Sequence, residues 1–260
     1  MAWLLGGLAM SVPASTASLE THRTFTPSFF FWMTLVMSFF VFGGFGMTYL
    51  FPLTTGTFPP APPIVHLHGV VFFSWMILLV VQSGLVSAGN VRLHRSLGTF
   101  GIAHATVIIY TGILLQLIGS RRGMLAGGSP GSDGLYLGLA AFVGFIFMFA
   151  LAIRNTRKPA IHKRMMLFAM LPILPPGVNR FWYVSLGLDD FFPAFFLYLT
   201  LWSMAIAVLI HEWRNTQKIS GYSLIGAGWI FLQGVLHELV VGSMAFDRIA
   251  ASILNLVHYR

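Results

Sequence analysis

Residues 66–104 read HLHGVVFFSWMILLVVQSGLVSAGNVRLHRSLGTFGIAH, and this stretch decides the fold. Its middle, residues 70–86, is apolar and carries no charge. An uncharged apolar run of about 17 residues or more indicates a membrane-spanning helix. Ionisable side chains are costly inside a bilayer, so those that border the run are candidate functional residues. Four of the 9 histidines lie in this stretch: His66, His68, His94 and His104.

The composition indicates the same class of protein. The 260-residue chain is 57% hydrophobic and 8% charged, whereas soluble domains carry about 25% charged residues. We therefore predict an all-α integral membrane protein in a lipid bilayer. The absence of cysteine excludes disulfides, thiolate metal sites and iron–sulfur clusters. The net charge of +8 lies in loops between apolar runs, which indicates orientation in the membrane rather than binding of nucleic acid.

Apolar segments recur along the chain and predict a seven-transmembrane-helix bundle. This membrane domain, residues 27–244, follows a cytoplasmic tail, residues 1–26, and precedes a short amphipathic segment, residues 245–260. Met10 is an alternative start to Met1, because the residues before it lack the basic region of a signal peptide. The predicted spans are residues 27–50, 64–87, 96–119, 135–153, 161–186, 191–210 and 222–244.

Lysine and arginine are divided unequally between the two sides of this predicted bundle. One side receives ten of the 15 basic residues: Arg23, Arg92, Arg95, Arg154, Arg157, Lys158, Lys163, Arg164, Arg214 and Lys218. The other side receives the remaining five: Arg121, Arg122, Arg180, Arg248 and Arg260. Because loops rich in basic residues stay inside, the N-terminus is predicted inside and the C-terminus outside.

Several ionisable residues are expected at one level near the outer side. His66 and His68 begin span two and His237 lies in span seven, so these three are the predicted metal- or cofactor-binding residues. Glu238 and Arg180 are expected at a similar depth. They form either a structural ion pair between spans five and seven or contacts for a proton or a substrate.

A second candidate pair, His104 with His162, is expected towards the inner side. His104 and His237 each follow a glycine by three residues. Helical side chains lean over the preceding turn, so a glycine there leaves room for a flat macrocycle or for a neighbouring helix. His94, in a basic loop, is interpreted as a surface or phosphate-facing residue.

Span five contains Pro172, Pro175 and Pro176, which predict a break near mid-membrane. One interpretation is a kink whose freed backbone groups are satisfied by neighbouring helices. The other is a broken helix whose half-helix ends face a substrate or an ion, as in transporters.

A set of short motifs resembles a widespread group of uncharacterised bacterial multi-span membrane proteins. The motifs are His66-Leu-His68-Gly69, Trp75, Gln82 and the segments 94–98, 162–166 and 176–180. Residues 162–166 are also similar to membrane proteins of haem-copper oxidase maturation. Histidines at the ends of spans resemble the layout of b-type membrane cytochromes. The expected location is the bacterial inner membrane.

The leading hypothesis is a membrane-embedded redox or electron-transfer protein that binds haem b or a metal through neutral imidazoles. His68 with His237 is the expected outer site, and a quinone or a respiratory-chain protein is the expected partner. Two alternatives stay open. One is a transporter or channel-like protein that uses the broken fifth span with Glu238 and Arg180. The other is an accessory or assembly subunit without a cofactor.

Overall fold

The computed structural model describes residues 24–187 and 191–257, except for the side chains of Asp133, Glu238 and residues 191–194. This part of the chain contains helices and turns and no strand, so the predicted all-α class is confirmed. A π-helical turn, Gly46–Leu50, joins α1 to α2, and a 3-10 turn, Leu171–Ile173, lies between α6 and α7. The α-helices are α1 (Phe29–Phe45), α2 (Phe51–Thr55), α3 (Pro63–Ser87), α4 (Val91–Leu125), α5 (Asp133–Arg154), α6 (Pro159–Met170), α7 (Pro175–Leu186), α8 (Phe191–Thr216), α9 (Gly221–Val240) and α10 (Met244–Asn255).

Five described segments are long and apolar enough to cross a membrane. They coincide with five of the predicted spans, and large apolar side chains such as Tyr110 and Phe147 lie exposed on the outside of the bundle. This surface suits the acyl chains of a bilayer rather than water. The five segments are Phe29–Thr55, Pro63–Ser87, Val91–Leu125, Gly134–Arg154 and Phe195–Thr216.

Local sequence signals set the helix ends. The side chains of Ser28, Asn90, Ser220 and Ser243 each accept a backbone amide at the start of a helix. Such N-caps satisfy amide groups that have no partner within the helix. Gly187 ends α7 with φ 59°, in the left-handed region that glycine adopts readily.

The helices form a ring around α6. Along this ring α1 packs on α3, α3 on α4, α4 on α5, α5 on α9, α9 on α8, α8 on α7, and α7 back on α1. α6 contacts α1, α5 and α9, and residues 167–174 are all buried. The Trp75 indole of α3 donates to the Met170 sulfur across 3.1 Å. The centre of the bundle is therefore the first half of the predicted fifth span.

The predicted break in this segment is present. The helix tightens into the 3-10 turn at Leu171–Ile173, and α7 restarts with Pro175 in its first turn. Proline suits that position because it has no amide hydrogen to satisfy. Pro172 and its neighbours are buried among apolar side chains, which is typical of a packed kink rather than of a polar path.

Two helices of the described chain extend beyond their predicted ends. α4 covers Val91–Leu125, whereas the sequence predicted 96–119. α8 continues to Thr216, six residues beyond the expected end at 210. These extra turns contain polar residues, which interrupt the apolar runs from which the spans were predicted. Residues 1–23 of the predicted tail, which include both candidate start residues, lie outside the described residues, and α10 occupies the predicted amphipathic segment.

One end of the bundle gathers the start of α1 and the connections α3–α4, α5–α6 and α8–α9. The Thr26 amide donates to the Ser87 carbonyl across 3.1 Å, and the Lys163 ammonium lies 4.5 Å from the centre of the Phe30 ring. We call this the basic end. Its exposed cations are Arg92, Arg95, Arg154, Arg157, Lys158, Lys163, Arg214 and Lys218.

Candidate functional site

The first two predicted site histidines lie on the first turns of α3, away from the basic end. His66 Nδ1 lies 2.9 Å from the hydroxyl of Tyr49, which belongs to the π-helical turn. His68 Nδ1 lies 3.1 Å from Thr111 Oγ1 of α4. The Thr111 hydroxyl donates to the Val107 carbonyl across 2.8 Å, so it accepts from His68 Nδ1–H. In the neutral imidazole of His68, Nε2 then carries no proton and keeps its lone pair.

His237, the third predicted ligand of the outer site, lies on α9. Its ring centre is 5.7 Å from that of Tyr136 on α5. α9 packs on α5, α6 and α8, whereas α3 packs on α1 and α4. His68 and His237 therefore have different helical surroundings, and their shared ligation stays a prediction.

Arg180 turns towards α1. Its Nη1 donates to the Pro176 carbonyl across 2.9 Å, and its guanidinium carbon lies 4.6 Å from the centre of the Phe45 ring. A cation over an aromatic face is favourable where water is scarce. The expected partner Glu238 lies on α9, and its side chain is outside the described part of the chain. The pairing of Arg180 with Glu238 stays a prediction.

His104 joins α4 to α3 by hydrogen bonds. Its Nε2 lies 2.8 Å from the Val71 carbonyl and 3.2 Å from the Ser74 hydroxyl. A carbonyl only accepts, so Nε2 carries the proton and only Nδ1 keeps a lone pair. This contact is typical of a histidine that satisfies a helix–helix interface. The predicted partner His162 contacts a different histidine.

That histidine is His94, at the start of α4. The ring centres of His94 and His162 are 6.3 Å apart, and the ring planes are nearly perpendicular at 77°. His162 Nδ1 lies 2.9 Å from the Ala152 carbonyl of α5, so Nδ1 carries the proton and Nε2 keeps its lone pair. Metal-binding histidines usually have this arrangement, with the second nitrogen held by a carbonyl or a carboxylate.

His94 has an unsatisfied nitrogen. The backbone of Gln82 lies beside its ring, while Nδ1 is buried without a hydrogen-bond partner. The side-chain oxygen of Gln82, Oε1, is also buried and unpartnered. Buried polar atoms are nearly always paired, so these two unpartnered atoms indicate a place for an additional group.

The spacing of the two imidazoles suits a shared metal. A metal–imidazole bond is about 2 Å and the nitrogen lies about 1 Å from the ring centre, so two imidazoles that bind one metal have centres at most about 6 Å apart. The observed 6.3 Å agrees with that arrangement. Among the described residues no group of three His, Cys, Asp or Glu side chains could hold a metal. A centre at this pair therefore requires an additional donor of another type.

A buried ion pair stabilises the same end of the bundle. Arg164 Nη2 lies 3.0 Å from Glu212 Oε1, with the two side chains 9% and 3% exposed. Glu212 Oε1 also accepts the Ser220 amide across 3.2 Å, which connects α6, α8 and the start of α9. Removing one partner of such a pair would leave a buried charge without compensation.

Sequence reasoning missed two residues of this end. The hydropathy pattern ended span six before Glu212, and His94 was interpreted as a surface residue. The neighbouring basic residues gave no indication that Glu212 pairs with a residue 48 positions earlier. The Asn90 cap was a signal that could have moved the start of α4 ahead of His94.

Comparisons of the chain with protein-family models, with curated proteins and with solved structures found no match. The resemblance to uncharacterised bacterial membrane proteins and to b-type cytochromes therefore stays a prediction. The function is inferred from the side chains and their geometry.

Proposed function

We propose that the chain is a membrane-embedded redox protein that holds a metal centre at its basic end through His94 and His162. The observation that carries the proposal is the pair of imidazoles 6.3 Å apart, with His162 Nδ1 held by the Ala152 carbonyl. The buried, unpartnered Nδ1 of His94 supports it. Neutral imidazoles bind haem iron as well as single copper, iron or zinc ions.

His94 and His162 would supply two nitrogen ligands to the iron of haem b. When bound, such a group supplies one-electron transfer. The exposed cations around the pair, with Lys163 directly after His162, attract the carboxylates that a haem carries. The protein's own part is to hold the His162 ring through the Ala152 carbonyl. A quinone or a respiratory-chain protein in the same membrane is the proposed electron partner.

The proposed protein crosses the membrane seven times in a defined orientation. The sixth and seventh spans are the broken segment α6–α7 and α9, with the N-terminus and the basic end inside and the C-terminus outside. The support is the excess of Lys and Arg at the basic end. A reporter that works only outside should be active when fused after Arg260 and inactive when placed between Arg154 and Lys158. Equal signals from the two positions would contradict seven spans.

The decisive experiment is the visible spectrum of the purified protein, before and after dithionite, together with metal analysis of the same sample. We expect a reduced-minus-oxidised difference or a bound redox metal. His94→Ala and His162→Ala should each remove most of it. His211→Ala is the matched control, because this imidazole lies at the same end and stacks on Phe29 with ring centres 4.1 Å apart.

A wild-type protein without a visible spectrum and without bound metal would overturn the redox proposal and favour an accessory subunit. Retention of the metal in both His94→Ala and His162→Ala would contradict the assigned ligands. The transporter alternative has weaker support, since the break at Pro172 is packed by apolar residues and Arg180 faces Phe45.

A further inference from the structure

We infer that Gln82 supplies a third donor to the His94–His162 site, so that the metal centre is a directly bound ion with two nitrogen ligands and one oxygen ligand. This inference rests on the proposed function. It specifies the type of metal centre, because it distinguishes a single bound ion from haem.

The position of Gln82 carries the inference. It lies on α3, and its backbone borders the His94 ring. Its side-chain amide nitrogen would lie 3.8 Å from a Cβ placed on Gly98, one turn after His94. The amide oxygen Oε1 has no hydrogen-bond partner although it is buried. The side chain thus packs along the first turns of α4, one turn after His94.

The protonation pattern indicates what could occupy this place. His162 keeps the Nε2 lone pair, His94 keeps a buried Nδ1 without a partner, and Gln82 Oε1 is an acceptor without a donor. Three atoms that can offer lone pairs are complementary to a cation. They do not suit a ligand that itself brings lone pairs.

A haem held by His94 and His162 would leave the Gln82 oxygen unsatisfied. A single redox-active first-row ion that accepts imidazole and oxygen ligands, such as Cu²⁺, would satisfy all three donors. The three donors are neutral. A bound cation therefore keeps its full charge, and replacing the amide by a carboxylate should strengthen binding.

The test is a titration of chelator-treated protein in detergent with Cu²⁺ and, separately, with Zn²⁺ against a competing chelator. Gln82→Ala should weaken the affinity at least about tenfold. Gln82→Glu should bind more tightly than wild type, because its carboxylate adds a negative charge to the donor set. Gln116→Ala is the matched control, since Gln116 on α4 donates to Ser120 across 3.0 Å and should leave the affinity unchanged.

The outcomes separate this inference from the proposed function. Wild-type protein that binds neither ion and has no haem spectrum overturns the function. Wild-type protein with a haem spectrum that Gln82→Ala leaves intact supports the function and overturns the inference. Lower thermal stability of Gln82→Ala with unchanged Cu²⁺ and Zn²⁺ affinities would identify Gln82 as a packing residue and would also overturn it. Weaker binding in Gln82→Ala with tighter binding in Gln82→Glu would support it.

Discussion

The two ends of the bundle use histidine differently. At the end opposite the basic end, His66 and His68 lie within hydrogen-bond distance of Tyr49 and Thr111. At the basic end, His94 and His162 face each other, and His94 has a buried nitrogen without a partner. The partnered nitrogens of His66 and His68 join neighbouring elements of the bundle, whereas His94 is the one of these four whose buried nitrogen lacks a partner. The candidate histidines therefore differ in whether their buried nitrogens have hydrogen-bond partners, and not only in their depth in the span.

The largest expected effect tests this difference directly. His162→Ala should remove most of the bound metal, and the double variant with His94→Ala should be little worse than either single variant, because residues that act as a unit are not additive. His68→Ala and His237→Ala should leave the metal content unchanged. The measurement is metal per protein by elemental analysis. Loss of metal in His68→Ala and retention in His162→Ala would restore the outer site predicted from the sequence.

The second prediction compares the loss of a buried ion-pair partner at the basic end with the loss of Arg180 at the opposite end. Glu212→Ala leaves the buried guanidinium of Arg164 without its carboxylate, which should cost about 3–5 kcal/mol in the free energy of unfolding. Arg180→Met, at the opposite end, removes a cation whose described contacts are a carbonyl and an aromatic ring, and should cost about 1 kcal/mol. Thermal unfolding in one detergent measures both.

A control distinguishes charge from packing in this result. The double variant Arg164→Met with Glu212→Leu removes both charges and keeps apolar volume, so it should be more stable than Glu212→Ala. Equal stability of these two variants would mean that the ion pair does not account for the loss.

The sequence predicted the class of fold and most of the spans because apolar runs are local signals. It predicted the break at Pro172 for the same reason, since proline acts on its own turn. It failed at Glu212, whose burial depends on Arg164 in another helix, and it did not anticipate the ring contact of His162 with His94. The position of a residue along its helix gives its depth in the membrane. The neighbour that its side chain contacts depends on how the helices pack.

A smaller effect concerns the contact of α1 with α7. A Cβ at Gly44 would collide with the carbonyl oxygen of Gly177, so the two helices touch through their backbones. Gly44→Ala should force them apart and cost about 1–3 kcal/mol. Gly119→Ala on α4 is the matched control: a Cβ there meets no atom within 4 Å, and alanine should stabilise the helix by up to about 1 kcal/mol. Equal effects of the two variants would contradict the close approach.

The most local of the expected effects is at the attachment of α10. Asp247 Oδ1 accepts the Ser129 hydroxyl across 2.9 Å and the Gly131 amide across 3.1 Å, which holds α10 against the α4–α5 connection. The buried Ala250 and Leu254 pack beneath it, so α10 should stay folded when these hydrogen bonds are lost.

Asp247→Ala should therefore cost about 1–2 kcal/mol locally and raise the hydrogen exchange of residues 244–255, with no change in the spectrum or metal content at the basic end. Ser252→Ala is the control, since this exposed hydroxyl donates only to the Arg248 carbonyl of its own helix across 2.9 Å. If Asp247→Ala changed the metal content, the two ends of the bundle would be coupled. The assignment of the metal centre to the basic end alone would then have to include α10.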